Sequence, residues 1–289
     1  MDAQLIDALI HTQAVRIAPP GELFWYTSGT VGPYYINGHY LFGGPDAASE
    51  LLAFIDAEKG SADFGARLRQ RVCARWEADP VYRGVIDRLA ALVRSGAAAG
   101  LDCVSGGERR DWFFSAAVAE KLGVPHLVIA KDATLSLWDR ERAVPLAGLE
   151  GRRAAHVADM VTEASSYLGT WIPAVQQAGG RMVHSANVVD RGQGGLQAIR
   201  GRGVPADALI CVDEPLFAHL RASGVIDEGQ RQVFAAYFRD PHGSMREFLR
   251  SHPDFLRRAL QSTDARTSTR ARTLVEQNLY DLDLQQLLG

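Results

Sequence analysis

From residue 101 onward, strand-like and helix-like segments alternate, and that order narrows the fold more than any other feature of the chain. LDCVSGG reads as a short strand ending in glycines, and DWFFSAAVAEKLG as a helix closed by Gly123. VPHLVIA is a second buried strand, RRAAHVADM a third, RMVHSANVVD a fourth and ALICVDE a fifth. EASSYLGTWIPAVQQAGG, with its Gly-Gly end, is a further helix. Such alternation predicts the α/β class: a central, mostly parallel sheet flanked by helices. Sheets of this kind take ligands at the carboxyl ends of their strands. Here those ends are SGG at 105–107, Ala130-Lys131, the segment after Met160, and Asp190-Arg191.

The flanking regions differ in texture. Residues 2–15 place Leu5, Ile6, Leu9, Ile10, Ala14 and Val15 at helical spacing. After the Pro-Pro-Gly break at 19–21, ELFWYTSGTVGPYYINGHYLFGG reads as short strands and a hairpin. Residues 46–98 look helical, except for a charged stretch at 58–80 that reads as a surface insertion. Residues 215–289 read as a helical tail, with Leu249, Phe255, Leu256 and Leu260 on one apolar face.

Charge removes several classes of function. With 31 Lys+Arg against 34 Asp+Glu, the net charge is −3, which argues against a nucleic-acid binder relying on bulk positive charge. The basic residues are almost all Arg; the lysines are Lys59, Lys121 and Lys131. Chemistry that needs an amine must use one of those positions. Cys73, Cys103 and Cys211 lie far apart without metal-ligand spacing. MDAQLIDALIHTQAV lacks the basic start and apolar run of a signal peptide, and no apolar run approaches the roughly 18 residues of a membrane span. The expectation is a cytoplasmic protein with no membrane partner.

Four segments could carry chemistry. HVADMVTEASSYLG sets a strand end at Asp159 before a helix start, where free amides and the hydroxyls of Thr162, Ser165 and Ser166 suit an anion. The plain alternative is a Ser165 or Ser166 N-cap. Glu163 opposes phosphate there, because like charges a few ångströms apart repel. In NVVDRGQGGL, Arg191 offers a planar fork suited to a carboxylate or carbonyl, or else forms a strand-end ion pair with Asp190. In SGTVGPYYINGHY, Tyr34 and Tyr35 could stack on a flat ring or simply pack in the core. SGGERRDWFF at 105–114 could turn backbone amides toward an anion, or form a solvated turn. Metal-ligand clusters are absent, although a magnesium held mainly by a substrate would leave little trace in sequence.

Taken in order, these segments resemble the orotate phosphoribosyltransferases, members of the type I phosphoribosyltransferase fold. FWYTSGTVGPYYIN is similar to that family's N-terminal hood, and LDCVSGGERRDWFFSAAVAEKLGVPHLVIAKD to its pyrophosphate-contacting strand, loop and helix. HVADMVTEASSYLGTWIPAVQQAGGRMVHSANVVDRGQGG is similar to the signature strand, loop and helix plus the D-R-x-x-G-G segment. The resemblance implies residues 1–214 as one domain, with a hood at 1–45 and an insertion at 55–85, followed by a helical extension at 215–289. It implies transfer of a phosphoribosyl group from phosphoribosyl pyrophosphate to a heterocyclic base, with magnesium held by the substrate, in a homodimer.

The resemblance also distributes roles. Asp159 and Lys131 would be catalytic. Arg191, Asp190, Tyr34, Tyr35 and Ser28 would hold the base or ribose, and Thr162, Ser165 and Ser166 the phosphate. Departures fall where phosphate binds. Ala158 stands for the first of two acids, and Glu163-Ala164 for a Thr/Gly-type turn. Thr134 and Ser136 replace the loop's lysine and histidine, and Thr27 replaces the hood lysine. Arg140 or Arg142 would then have to make good the lost cations. Two readings stay open: a transferase, or an inactive relative that binds a nucleobase, nucleotide or protein partner and regulates or scaffolds.

Overall fold

The computed structural model describes residues 3–97, 100–140, 142–144, 146 and 148–288. The chain divides into two compact units, one of residues 1–14 and 37–212, the other of 15–36 and 213–289. The second unit's longer piece begins at Asp213, and the unit also takes in residues 15–36 of the expected hood.

In the first unit, α1 (Ala3–His11) and a 3-10 turn (Gly38–Phe42) precede three helices, α2 (Gly44–Glu58), α3 (Phe64–Ala78) and α4 (Pro80–Gly96). Asp79 starts α4 by accepting the amides of Val81 and Tyr82, with Pro80 at the first helical position. The 58–80 stretch expected as an insertion is mostly α3. It buries Phe64, Leu68 and Val72 on one face, against α4 and α5 (Trp112–Leu122). Three apolar residues four apart suffice for that face, and the charged majority points outward.

Five parallel strands form the sheet's body. In the first unit's chain order they are β1 (Cys103–Gly107), β2 (His126–Ile129), β5 (Arg153–Val161), β6 (Arg181–Asp190) and β7 (Ala206–Cys211). The stretch at 132–150, expected to be irregular, supplies two antiparallel strands, β3 (Leu135–Asp139) and β4 (Arg142–Val144). The strand order is β7-β6-β5-β1-β2-β3-β4. Helices α4 and α5 cover one face. The other face carries α6 (Ile172–Gln177) with the wide π-type turn before it, and α7 (Gly195–Arg200). On that side Cys103, Leu127, Ile129, Ala154, Ala158, Tyr167, Val175 and Ile199 form a continuous apolar core.

The second unit joins two short antiparallel pairs, Val15–Ile17 with Tyr34–Ile36 and Phe24–Trp25 with Val31–Gly32, to helices between Glu214 and Leu288. Tyr34 meets Phe234 and Tyr237 edge-on at 5.2 and 5.4 Å, and Trp25 stacks on Phe255 at 5.4 Å. Among the described residues, no helix is long and apolar enough to cross a membrane.

Candidate functional site

Chain order reverses between β1 and β5: β2 lies on one side of β1 and β5 on the other. A crevice at the carboxyl end of such a reversal is where open α/β sheets bind ligands. β1 and β5 pair only from Cys103–Ala154 to Ser105–His156. Beyond that register the carboxylate of Asp111 bridges them. One oxygen accepts the amide of Gly107 and the other the amide of Asp159, both at 3.0 Å. Asp111 immediately precedes α5, which holds it over the strand ends.

Further polar and aromatic groups surround it. Ser105 Oγ lies 3.0 Å from His156 Nδ1, and His156 Nε2 lies 3.6 Å from Asp111 Oδ2. Trp171 stacks on His156 at 4.5 Å, and Tyr167 meets it edge-on at 4.9 Å. His39, from the 3-10 turn, points Nδ1 at Asp159 Oδ2. Neither of those two atoms, nor His156 Nε2, has a hydrogen-bond partner among the described residues. Burial, and then the neighbouring carboxylate of Asp159, push the Asp111 carboxyl well above the usual range. Burial, with a smaller contribution from His126, pushes His156 down to about 3. The site therefore holds a buried carboxyl whose ionisation is disfavoured beside an imidazole that resists protonation.

Asp159 was legible in the sequence; Asp111, His156 and His39 were not. The available signal was a histidine within an apolar strand and an aspartate at a helix start. Ala158, at the position of the family's first acid, faces the apolar core and is fully buried.

The loop after β5 carries the expected phosphate residues. Ala164 adopts φ +61°, the left-handed region that disfavours a side chain. The loop thus keeps a glycine-like backbone although its residue is alanine. Ser166 precedes the π-type turn without capping it through its side chain, and it is exposed together with Ser165. Arg191 donates its amide to the Val161 carbonyl at 3.0 Å, and Asp190 accepts the amide of Gly192 at 3.0 Å. Gly195 packs so closely that a Cβ there would lie 2.3 Å from the Thr162 carbonyl oxygen. The loops that follow β5 and β6 therefore fit against each other.

Other expected residues behave differently. The chain leaves β2 through a tight turn, with Ala133 at φ +68° and the Thr134 amide on Asp132. Lys131 is exposed on that turn, and its amide donates to Glu108 at 2.9 Å. Arg140 and Arg142 do not reach this edge. β3 runs antiparallel, with Trp138 beside His126, so the far end of the hairpin lies at the amino ends of the parallel strands. Tyr34 is buried among aromatic rings of the second unit, which corrects its expected stacking role: its faces are already covered. Tyr35 meets Phe24 and Tyr26 edge-on, and Ser28 is exposed with its hydroxyl 2.7 Å from Thr30.

No protein-family model matches the chain. An orotate phosphoribosyltransferase of Cereibacter sphaeroides is 26% identical over 238 residues, 81% of this chain and 85% of that one. An adenine phosphoribosyltransferase of Novosphingobium aromaticivorans is 30% identical over 138 residues, 43% of this chain and 75% of its own length. Among solved structures, UMP synthase of Leishmania donovani shares the fold at a TM-score of 0.54 and 17% identity, covering 86% of this chain. This chain spans 42% of that protein. Orotate phosphoribosyltransferase of Francisella tularensis matches at 0.52 and 14% identity, covering 80% of this chain and 96% of its own. With the reversal-point crevice, the glycine-like loop and the paired loops after β5 and β6, these similarities lead to one conclusion: the chain belongs to the type I phosphoribosyltransferases, as an orotate phosphoribosyltransferase-like member.

Proposed function

We propose that the chain transfers a phosphoribosyl group from phosphoribosyl pyrophosphate to a heterocyclic base, with orotate the first base to try. The observation that carries this reading is Ala164 in the left-handed region. A non-glycine residue held there costs about 1–2 kcal/mol, and such strain persists where a site needs the shape. The loop's amides and the hydroxyls of Thr162, Ser165 and Ser166 then receive the 5-phosphate. Asp159 accepts hydrogen bonds from the ribose hydroxyls, Asp190 supports the loop behind it, and Arg191 grips the base.

In the reaction the bond from the anomeric carbon to the pyrophosphate oxygen breaks and a carbon–nitrogen bond to the base forms. The leaving pyrophosphate carries the electron pair of the broken bond and takes up the proton that the base nitrogen gives up. Lys131, at the end of β2, stabilises that anion in this reading. Magnesium carried on the donor's phosphates would supply further positive charge. Asp159 Oδ2, a hard oxygen without a hydrogen-bond partner among the described residues, suits it as one ligand.

The proposed compartment is the cytoplasm, in keeping with three cysteines that form no disulfide. The proposed assembly is a homodimer, read from the resemblance and checked by sedimentation. Calorimetry with phosphoribosyl pyrophosphate and magnesium, beside turnover assays with orotate and adenine, tests the function. Donor binding and nucleotide formation are expected. Absence of both would overturn the reading.

A further inference from the structure

The loop after β1 is tied to the end of α2 by two ion pairs of opposite sense. Glu108 pairs with Lys59 and Arg109 with Asp56. The Glu108 side chain is only 10% exposed, against 44% for Lys59. Its first carboxylate oxygen takes the Lys59 ammonium, and its second accepts the Lys131 amide at 2.9 Å. Its own amide donates to Ile129 at 2.8 Å, which fixes it at the end of β2. Burial disfavours the ionised form, but Lys59 and the Lys131 amide outweigh it and hold the carboxyl below its ordinary range. Within these two ion pairs the charges cancel, so neither Lys59 nor Arg109 offers an uncompensated positive charge to a polyanion.

We propose that Glu108 is a selectivity residue: a built-in counter-anion that occupies the Lys59 ammonium and the Lys131 amide beside the ends of β1 and β2. A ligand oxyanion must displace it, which penalises highly charged ligands most. This deepens the transferase reading and rests on it for the identity of the anion.

The test measures binding of inorganic pyrophosphate and inorganic phosphate by calorimetry at low salt. Glu108→Gln should bind pyrophosphate about tenfold tighter than the wild type, with a smaller gain for phosphate and loss of the gain at high salt. The double variant Glu108→Gln, Lys59→Met should lose the gain. Equal or weaker pyrophosphate binding by Glu108→Gln, or a gain that survives loss of Lys59, overturns the proposal. Should Glu108→Gln fail to fold, wild-type protein with 13C-methylated lysines gives the same answer. The Lys59 signal, one of three, should move on saturation with pyrophosphate, and a fixed signal overturns the proposal. Binding is read without turnover, so the role of Glu108 is tested even if the chain has no transferase activity.

Discussion

His39 Nδ1 and Asp159 Oδ2 face each other across 3.7 Å in the interior of the first unit, and neither atom has a hydrogen-bond partner among the described residues. An unpaired buried polar atom costs about 1–3 kcal/mol. Asp159 also sits beside Asp111, whose ionisation it opposes. Replacing Asp159 by Asn removes a like charge from the buried pair. Melting temperature is expected to hold or rise, while turnover falls about 100-fold or more through loss of a substrate contact. Calorimetric melting beside a turnover assay checks this; a large loss of stability would show that the carboxylate is structural.

Ala164 offers a cleaner reading of strain. Ala164→Gly removes the Cβ penalty at φ +61° and should stabilise the fold by about 1 kcal/mol. Ala164→Val, branched at Cβ, should destabilise it. Urea unfolding of both variants measures the difference. Glu163 is exposed on the same loop, and Glu163→Thr should raise affinity for phosphoribosyl pyrophosphate about two- to fivefold by removing a like charge.

Acid should unfold the protein through its buried imidazoles. Burial pushes both His126 and His156 down to about 3, from an ordinary value of 6.5. Below pH 6.5 the unfolded chain takes up protons that the folded chain refuses, so stability falls as pH drops toward 3. Asp111 acts in the opposite sense: its raised value adds stability at low pH that fades as pH rises. Replacing His126, whose partner is Ser115 at 2.8 Å, by Gln removes one imidazole contribution. The slope of stability against pH between about 6 and 4 should then fall by about one proton. Chemical unfolding followed by circular dichroism at several pH values measures that slope.

Gly195 links the two loops. An added Cβ would meet the Thr162 backbone at 2.3 Å, and a backbone carbonyl cannot swing aside as a flexible side chain can. Gly195→Ala should cost about 1–3 kcal/mol and weaken donor binding about tenfold by pushing the loops apart. Denaturant melts and donor calorimetry test both halves of that expectation.

The parallel strands were legible because glycines punctuate the alternation: Gly106-Gly107 ends β1, Gly123 closes α5 before β2, and Gly179-Gly180 separates α6 from β6. The hairpin of β3 and β4 was not. Its strands, of five and three residues, are short, and its edge position against β2 is set by pairing that local sequence does not encode. The same holds for the crevice. Asp159 stood out as a carboxylate at a strand end. Asp111 and His156 matter because strands distant in sequence bring them within 3.6 Å. Tyr34 looked like a ligand-stacking ring because its cover, Phe217, Phe234 and Tyr237, lies about two hundred residues further along.

That cover bears on how the protein is made. Val31 donates its amide to the Tyr280 hydroxyl at 3.0 Å, across 249 residues. The Arg270 guanidinium donates to the Trp25 carbonyl at 2.8 Å. Residues 15–36 leave the ribosome early and gain these partners only after Tyr280 is synthesised. A chain grows at about 5–20 residues per second, so these partners do not exist until most of the chain has been made. The second unit is therefore a late-assembling body whose oldest piece waits longest, and it is the segment on which a chaperone would have most to hold.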